Sequence, residues 1–510
     1  MESEKAAMDS NTVRKIHVVV VPYPSQGHIN PMLQFCKQLT SLNLKQHKVE
    51  VEATLAITVF INHSYGAELQ SSSVLSNFEK IRIETISDGC DEGGFTEAKD
   101  VEDYLIRMEE AGSKTLSELI IKHKNSGHPV DCIVYDPFLP WALNVAKQYG
   151  IAGAAFFTQM CAVNYIYYCL YRDGDKSKGL VELVNSWLSQ MDSGPVPCPG
   201  LPSLLLNLQD MPSFIDNPTS YPAYFHMLLN QFCNIEKADA ILVNTIYELE
   251  GEIVDSMSNA THPVPVLTIG PTIPSVYLKI DKGVKQINDA GYGMDLFEVP
   301  DPSACSNWLQ DKPKGSVVYV SFGSMANLSN EQMEEIVLGL KGSGFPFLWV
   351  IRNSERTKLS KELLGETIAY DHYSAGMNSK GLIVNWSPQL EVLSNKAVGC
   401  FFTHCGWNST AEALCLGVPM LGMPQWTDQP TDAKFVENVW KVGIRVKVDD
   451  NGIVTRQEIE FCIREIMGSP RGEEFKNNAT HWRKLAIEAA SEGGSSHKNI
   501  QQFVLGLIAT

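Results

Sequence analysis

AVGCFFTHCGWNSTAEALCLGVPMLGMP, residues 397–424, holds three patterns in a row. AVGCFFTH is a continuous apolar run ending in a histidine, the pattern of a strand buried on both faces. NSTAEALCLG reads as a helix with a polar first turn, and VPMLGMP returns to strand. Gly406 permits the turn between the first strand and the helix. Strand, helix and strand in this order describe one crossover of a parallel sheet.

The alternation extends outward in both directions. Upstream lie GSVVYVSFGS (315–324), strand then loop, the helix NEQMEEIVLGLKGSG (330–344) and the strands FPFLWVI (345–351) and GLIVNW (381–386). Downstream, TDAKFVENVWKVG (431–443) reads as helix and IRVKV (444–448) as strand. These elements predict a doubly wound α/β domain over 301–485. A similar domain is expected over 16–262, beginning with the strand IHVVVVP (16–22) and the loop YPSQGHIN (23–30). The following PMLQFCKQLTSL reads as a helix capped by Asn30, with Pro31 in its first turn. VDCIVYD (130–136), AGAAFFT (152–158) and ADAILVNT (238–245) supply further strands. Residues 171–220 read as loops and short helices rather than sheet. Proline-rich THPVPVLTIGPTIPS (261–275) and the polar stretch after it read as a linker over 263–300. Residues 1–15 read as a disordered lead-in. In 486–510, Ile500, Phe503, Val504, Leu507 and Ile508 share one face, so a terminal helix is expected to pack back on the first domain.

Composition narrows the function. The 510 residues are 44% hydrophobic and 20% charged, an ordinary globular balance. A formal net charge of -18 opposes binding to nucleic acid or anionic lipid. No apolar run reaches membrane-spanning length, and MESEKAAMDSNTVRK lacks the apolar core of a secretory signal. The 12 cysteines are scattered, often inside apolar runs, and read as reduced thiols of a cytoplasmic protein. The sequons at Asn62, Asn327 and Asn408 are then expected to stay unmodified.

The strand ends carry the chemistry. His404 closes a strand, and Asn408, Ser409 and Thr410 open the next helix. Helix N-termini beyond the carboxyl ends of parallel strands attract anions, so these residues read as an anion cradle or, more plainly, as polar capping. A metal is disfavoured, because His404 and Cys405 are adjacent and lack a second ligand pair nearby. Cys405 has no designated base for a nucleophile's role. Glu412, one turn on, suits a pair of ribose hydroxyls. Trp386 ends GLIVNW and either stacks a base or packs in the core. Trp426, Asp428 and Gln429 in MPQWTDQP suit a polyol, and Ser324 stands at another strand end. In the first half, His28 is a general base or a structural cap. Asp136 either holds one nitrogen of that imidazole or caps the helix that follows.

The whole span WSPQLEVLSNKAVGCFFTHCGWNSTAEALCLGVPMLGMPQWTDQ, 386–429, resembles the signature box of plant secondary-product glycosyltransferases. These are UDP-sugar-dependent enzymes of glycosyltransferase family 1 and the GT-B fold. The order of elements is similar from about residue 14 onward. The nearest subgroup glucosylates carboxylic acids, thiohydroximates and steroid or triterpenoid alcohols. The resemblance implies two Rossmann-like domains facing across a cleft, acceptor on the first and UDP-sugar on the second. It places Trp386 on uracil, Gln389 and Glu412 on the ribose, and His404, Asn408 and Ser409 on the diphosphate. Trp407 and Trp426 would lie beside the sugar, whose hydroxyls Asp428 and Gln429 would bind. A terminal glutamine in the box usually accompanies UDP-glucose. His28 and Asp136 match the family's catalytic dyad, and Thr158 would lie near the transferred sugar. UDP-glucose is then a co-substrate, no metal or resident cofactor is needed, and a monomer is expected. Loops around 87–105 and 175–225, including FIDNPTSYPAYFHMLL, are candidates for the wall of a lipophilic acceptor site. A steroid- or terpenoid-like alcohol is favoured over phenolics and carboxylates. One departure is NLKQHKVEVE (43–52), longer than the family pattern and read as a surface insertion. Two other classes compete. A nucleotide-sugar epimerase should carry G-x-G-x-x-G after an early strand, which PYPSQGHINP lacks. A non-catalytic carrier of lipophilic ligands would need neither His28 nor Asp136.

Overall fold

The computed structural model describes residues 13–71, 79–189, 194–279, 302–359, 368–370 and 380–509. In the first half the strands are β1 (Arg14–Val21), β2 (Val49–Thr58), β3 (Ile81–Ile86), β4 (Cys132–Tyr135) and β5 (Ala152–Phe157). A hairpin of β6 (Val196–Cys198) and β7 (Leu201–Leu206) follows, then β8 (Ala240–Val243) and β9 (Val266–Thr268). The second half has β10 (Val317–Ser321), β11 (Phe347–Val350), β12 (Ile368–Tyr370), β13 (Gly381–Val384), β14 (Val398–Thr403), β15 (Met420–Gly422) and β16 (Gly443–Arg445). Two parallel seven-stranded sheets result, ordered β3-β2-β1-β4-β5-β8-β9 and β12-β13-β11-β10-β14-β15-β16. This is the α/β architecture of two Rossmann-like units expected from the alternation.

Burial explains the valine-rich strands. Along β1, Val18 and Val20 enter one apolar cluster and Val19 and Val21 another, so alternate residues leave opposite faces into helices. The strand order also fixes where ligands belong. Connections from β1 and β4 leave in opposite directions, and so do those from β10 and β14. A crevice opens at each reversal, outside the strands' carboxyl ends. His28 follows β1 and Asp136 follows β4; Ser324 follows β10 and His404 follows β14.

Three details differ from the sequence reading. The first helix spans Gln26–Thr40 with Ser25 at its N-cap, so Asn30 is not the cap and Pro31 lies inside the helix. Packing of Ile29, Met32, Leu33 and Phe35 into the core outweighs the preference of proline for a first turn. The first sheet also runs past residue 262, because β9 is its edge strand, where a preceding Pro265 still offers its carbonyl to Ile241 N at 2.8 Å. The expected linker therefore begins inside the sheet, and 280–301 lie outside the described residues. Within 171–220 the β6–β7 hairpin is sheet after all. Within 43–52 an exposed short turn at Lys45–His47 leads into β2, which pairs with β1 from Val49 onward.

The last helix, Ser495–Ala509, seats Ile500, Phe503, Val504 and Leu507 in the first half's core, with Phe503 6.4 Å from Phe35. Asn499 Nδ2 donates to the Thr268 carbonyl at 2.9 Å, and Arg14 Nη1 to that of Ile508 at 3.2 Å.

Below β1, His17 and His123 meet edge to face at 4.6 Å, and His17 Nε2 pairs with Thr54 Oγ1 at 2.8 Å. Burial lowers both pKa values below the ordinary histidine value. Above neutrality both rings are neutral, folded or unfolded, and contribute no pH dependence. As pH falls through about 6.5, the unfolded chain takes up protons that the folded one resists. Stability should then drop by up to about 1.4 kcal/mol per pH unit for each ring. Urea melts between pH 7.5 and 5 should show this, and His123→Gln should flatten the slope.

Candidate active site

His28 stands in the first turn of the Gln26–Thr40 helix. Its Nδ1 lies 2.6 Å from Asp136 Oδ2 and 3.2 Å from Thr158 Oγ1. Asp136 is 1% exposed, its backbone N–H donates to Val21 at the end of β1, and its Oδ1 accepts from Phe138 N at 3.1 Å. The next helix, Pro140–Gln148, has Leu139 at its cap, so Asp136 serves the histidine rather than that helix. An ionised carboxylate only accepts, which puts the proton on Nδ1 and leaves the Nε2 lone pair for a substrate proton. Tyr23 and Phe138 complete an aromatic collar, 5.5 and 5.0 Å from the imidazole. Thr158 thus stands at the base itself.

Across the cleft, the His404 ring is wedged between two glycines. A Cβ on Gly323 would lie 2.8 Å from Nε2, and one on Gly406 2.7 Å. The ring also bonds to the Ser321 carbonyl, and burial pushes its pKa down to about 4. At neutral pH the ring is therefore uncharged, with its one N–H turned to the Ser321 carbonyl, and it shapes the pocket without bringing a charge to it. Gly406 caps the Trp407–Leu416 helix, which brings its open N–H groups to the same place. Arg352 holds the loop after β10 by its guanidinium, with Nη1 2.5 Å from Ser324 O and Nη2 on Ala326 O. Gln389 Nε2 donates to Ser409 Oγ at 3.0 Å and to Glu412 Oε2 at 2.7 Å, while Tyr319 OH reaches its Oε1 at 3.4 Å. These four polar side chains form one network, and half-buried Trp386 stands three residues before Gln389 in the chain. Cys405 is fully buried, which pushes its thiol pKa up and removes it as a nucleophile. Among the described residues no group of three His, Cys, Asp or Glu is placed to hold a metal ion.

One residue of the box faces elsewhere than the resemblance implied, and a second is shared between the halves. Trp407 does not line the cleft: its indole is buried and donates from Nε1 to the Asn244 carbonyl, beyond β8, at 2.7 Å. Asn408 reaches across with Nδ2 2.7 Å from the Gly27 carbonyl. Asp428 accepts from Trp407 N at 3.2 Å and from Thr427 Oγ1 at 2.5 Å. Gln429 spends its Oε1 on the backbone N–H of Gln425 (2.8 Å) and Trp426 (3.1 Å), so its donor end is what a ligand would meet.

A segment of the first half, within the 175–225 loops that the sequence offers as a candidate acceptor wall, holds this region. Ser213 donates its N–H to Thr427 O at 2.8 Å and accepts from Thr427 N at 2.7 Å. Thr427 has φ 57, left-handed backbone that a β-branched residue adopts only under constraint. Asp210 is paired with Arg445 Nη1 at 2.7 Å and Lys434 Nζ at 3.2 Å, and its carbonyl accepts from Thr431 Oγ1 at 2.9 Å. Trp426 is ringed by Phe214, Tyr221 and Tyr224 at 6.2, 5.4 and 6.1 Å. The sequence marks the aromatic run from Phe214 onward but not its pairing with Trp426, nor Asp210 and Ser213 as clamps, because a contact between halves has no fixed spacing.

The glycine wedge makes a sharp test. Gly406 has φ -62, which alanine tolerates, so Gly406→Ala should fold and act only by displacing the His404 ring. A misplacement of that size should raise the Kd for UDP about tenfold or more in calorimetry, with the melting temperature nearly unchanged.

Comparison with known proteins agrees with this geometry. Residues 291–486 match the family "UDP-glucoronosyl and UDP-glucosyl transferase", and residues 14–56 match "Glycosyltransferase, N-terminal domain". UDP-glycosyltransferase 74F2 of Arabidopsis thaliana is 50% identical over 96% of this chain and 97% of its own. Mogroside I-E synthase of Siraitia grosvenorii is 42% identical over 97% and 99%. The crystal structure of Os79 from O. sativa in complex with UDP superposes with a TM-score of 0.79 at 38% identity, covering 96% of this chain and 100% of that one. With this identity along nearly the whole length, two facing Rossmann-like sheets and the signature box in place, the chain belongs to the plant family 1 UDP-glycosyltransferases, enzymes of the GT-B fold that use a UDP-sugar as co-substrate.

Proposed function

We propose that the chain transfers glucose from UDP-glucose, with inversion, to a hydroxyl of a lipophilic small molecule, a steroid- or terpenoid-like alcohol. The observation that carries this reading is the His28–Asp136 pair at 2.6 Å, set opposite the His404 pocket. His28 Nε2 takes the proton of the acceptor hydroxyl, and Asp136 stabilises the imidazolium through Nδ1. The acceptor oxygen forms its bond to the anomeric carbon as the bond to the β-phosphate oxygen breaks. UDP leaves with the electron pair, and attack from the opposite face inverts the configuration.

The remaining residues divide between binding and charge. Trp386 stacks on uracil, and Gln389 with Glu412 holds the ribose. His404, Ser409, Ser324 and the N–H groups of the Trp407–Leu416 helix meet the diphosphate, whose negative charge grows in the transition state. Asp428 and the donor end of Gln429 bind the sugar hydroxyls, with Trp426 beside them. The first half then carries the acceptor and the second the donor. One chain supplies both, so a monomer suffices.

The acceptor reading rests on the collar of Tyr23 and Phe138 and on the aromatic wall around Trp426. It also rests on the base, since an un-ionised alcohol needs one and a carboxylate at neutral pH does not. The relative named for a mogroside points the same way. A cytoplasmic location fits the twelve cysteines, all of them free. Among the described residues no helix is long and apolar enough to cross a membrane.

The test is a transfer assay with UDP-glucose and a panel of steroids, triterpenols, flavonoids and aromatic acids, read by product mass and UDP release. A sterol-like alcohol should gain one hexose, and His28→Ala should lose at least about a hundredfold in rate. Products on phenols or acids alone would keep the chemistry and overturn the acceptor. No transfer and no UDP release with any sugar donor would leave a ligand carrier as the better reading.

A further inference from the structure

The Gln26–Thr40 helix has a proline where an α-helix needs a donor. The residue-31 N–H is the regular partner of the Gly27 carbonyl, and Pro31 has none. Its ring also crowds the carbonyl four residues back and tilts it off the helix axis. That carbonyl accepts instead from Asn408 Nδ2, at 2.7 Å, from the other half of the molecule. Gly27 immediately precedes His28, and Asn408 is the second residue of the helix whose N-terminus faces His404.

We propose that Pro31 is a positioning residue for the transfer reaction. By withholding an N–H, it leaves the Gly27 carbonyl to Asn408, and this single bond sets the turn that carries His28 at a fixed distance from the donor helix. The inference rests on the proposed function, in which His28 is the base and that helix holds the leaving diphosphate. Asn408 has two amide hydrogens. One is spent on Gly27, and the other remains for the ligand, so the same side chain spans base and leaving group. A proline that cost stability without return would be removable at a gain. Here its removal should gain stability and lose rate.

Pro31→Ala restores the N–H and the ordinary helix bond. With saturating UDP-glucose and acceptor, kcat should fall about tenfold, the loss expected from a sub-ångström misplacement of the base. KM for UDP-glucose should stay within about twofold, because no donor contact is removed. The melting temperature should hold or rise, since a helix interior disfavours proline. A merely structural role would instead lower melting temperature and rate together. Asn408→Ala should lower kcat as well, and in the double variant the two kcat losses should not multiply. Wild-type kcat in Pro31→Ala, or losses that multiply with Asn408→Ala, would overturn the proposal. His28→Ala separates the two levels. Transfer lost there, with Pro31→Ala unaffected, sinks only this inference. Transfer kept in His28→Ala sinks the functional reading, and this inference with it.

Discussion

The site exists only because the two halves are held face to face, and a buried carboxylate does much of the holding. Asp210 belongs to the first half, and its partners Lys434, Arg445 and Thr431 belong to the second. A buried charge with two cationic partners is expensive to separate, because opening the joint would strand it. Ser213, three residues on, fixes both backbone groups of Thr427. Trp407 adds an indole bond to Asn244, and Trp440 donates to the Leu249 carbonyl at 3.3 Å. One apolar cluster runs through both halves behind these bonds, from Val19 to Ala489. Polar contacts therefore set the register, and burial supplies the adhesion.

The electrostatics of the donor pocket follow from its depth. The chain carries a net charge of -18, yet its partner is a doubly charged diphosphate. On the proposed assignment, none of the described residues given to the anion is a lysine or an arginine. His404 is held neutral by burial, and the rest are hydroxyl, amide and helix N–H groups. Fixed dipoles in a dry site keep their full strength and need no reorganisation as charge builds. Arg352, the nearby cation, is turned to the carbonyls of Ser324 and Ala326, where it stiffens the loop.

Much of this was readable in the sequence. Strands such as VGCFFT and VVYVS are buried on both faces, so their composition alone betrays them. Because ligands gather at strand ends in such sheets, His28, Asp136 and His404 could be placed before any coordinates. The first helix was misread because Pro31 follows a local rule that the core overrides. β9 was missed because prolines beside an edge strand look like a linker. Asp210 and Ser213 were illegible for a different reason. Their partners are more than 200 residues away, and nothing in a local pattern encodes that pairing. Trp407 shows the same limit inside the motif: the sequence marks the residue but not the direction in which the indole turns.

The terminal helix has a consequence for how the molecule can fold. The chain passes from the first half to the second between β9 and β10, then returns between the Pro470–Ala490 helix and the Ser495–Ala509 helix. Ile500, Phe503, Val504 and Leu507 lie in the same buried cluster as Val18 and Val20 of β1. The core of the first half is therefore complete only when a segment about 480 residues along the chain has joined it. The second half is, in effect, a loop of the first, and closing that loop is the last step of packing the sheet that carries His28.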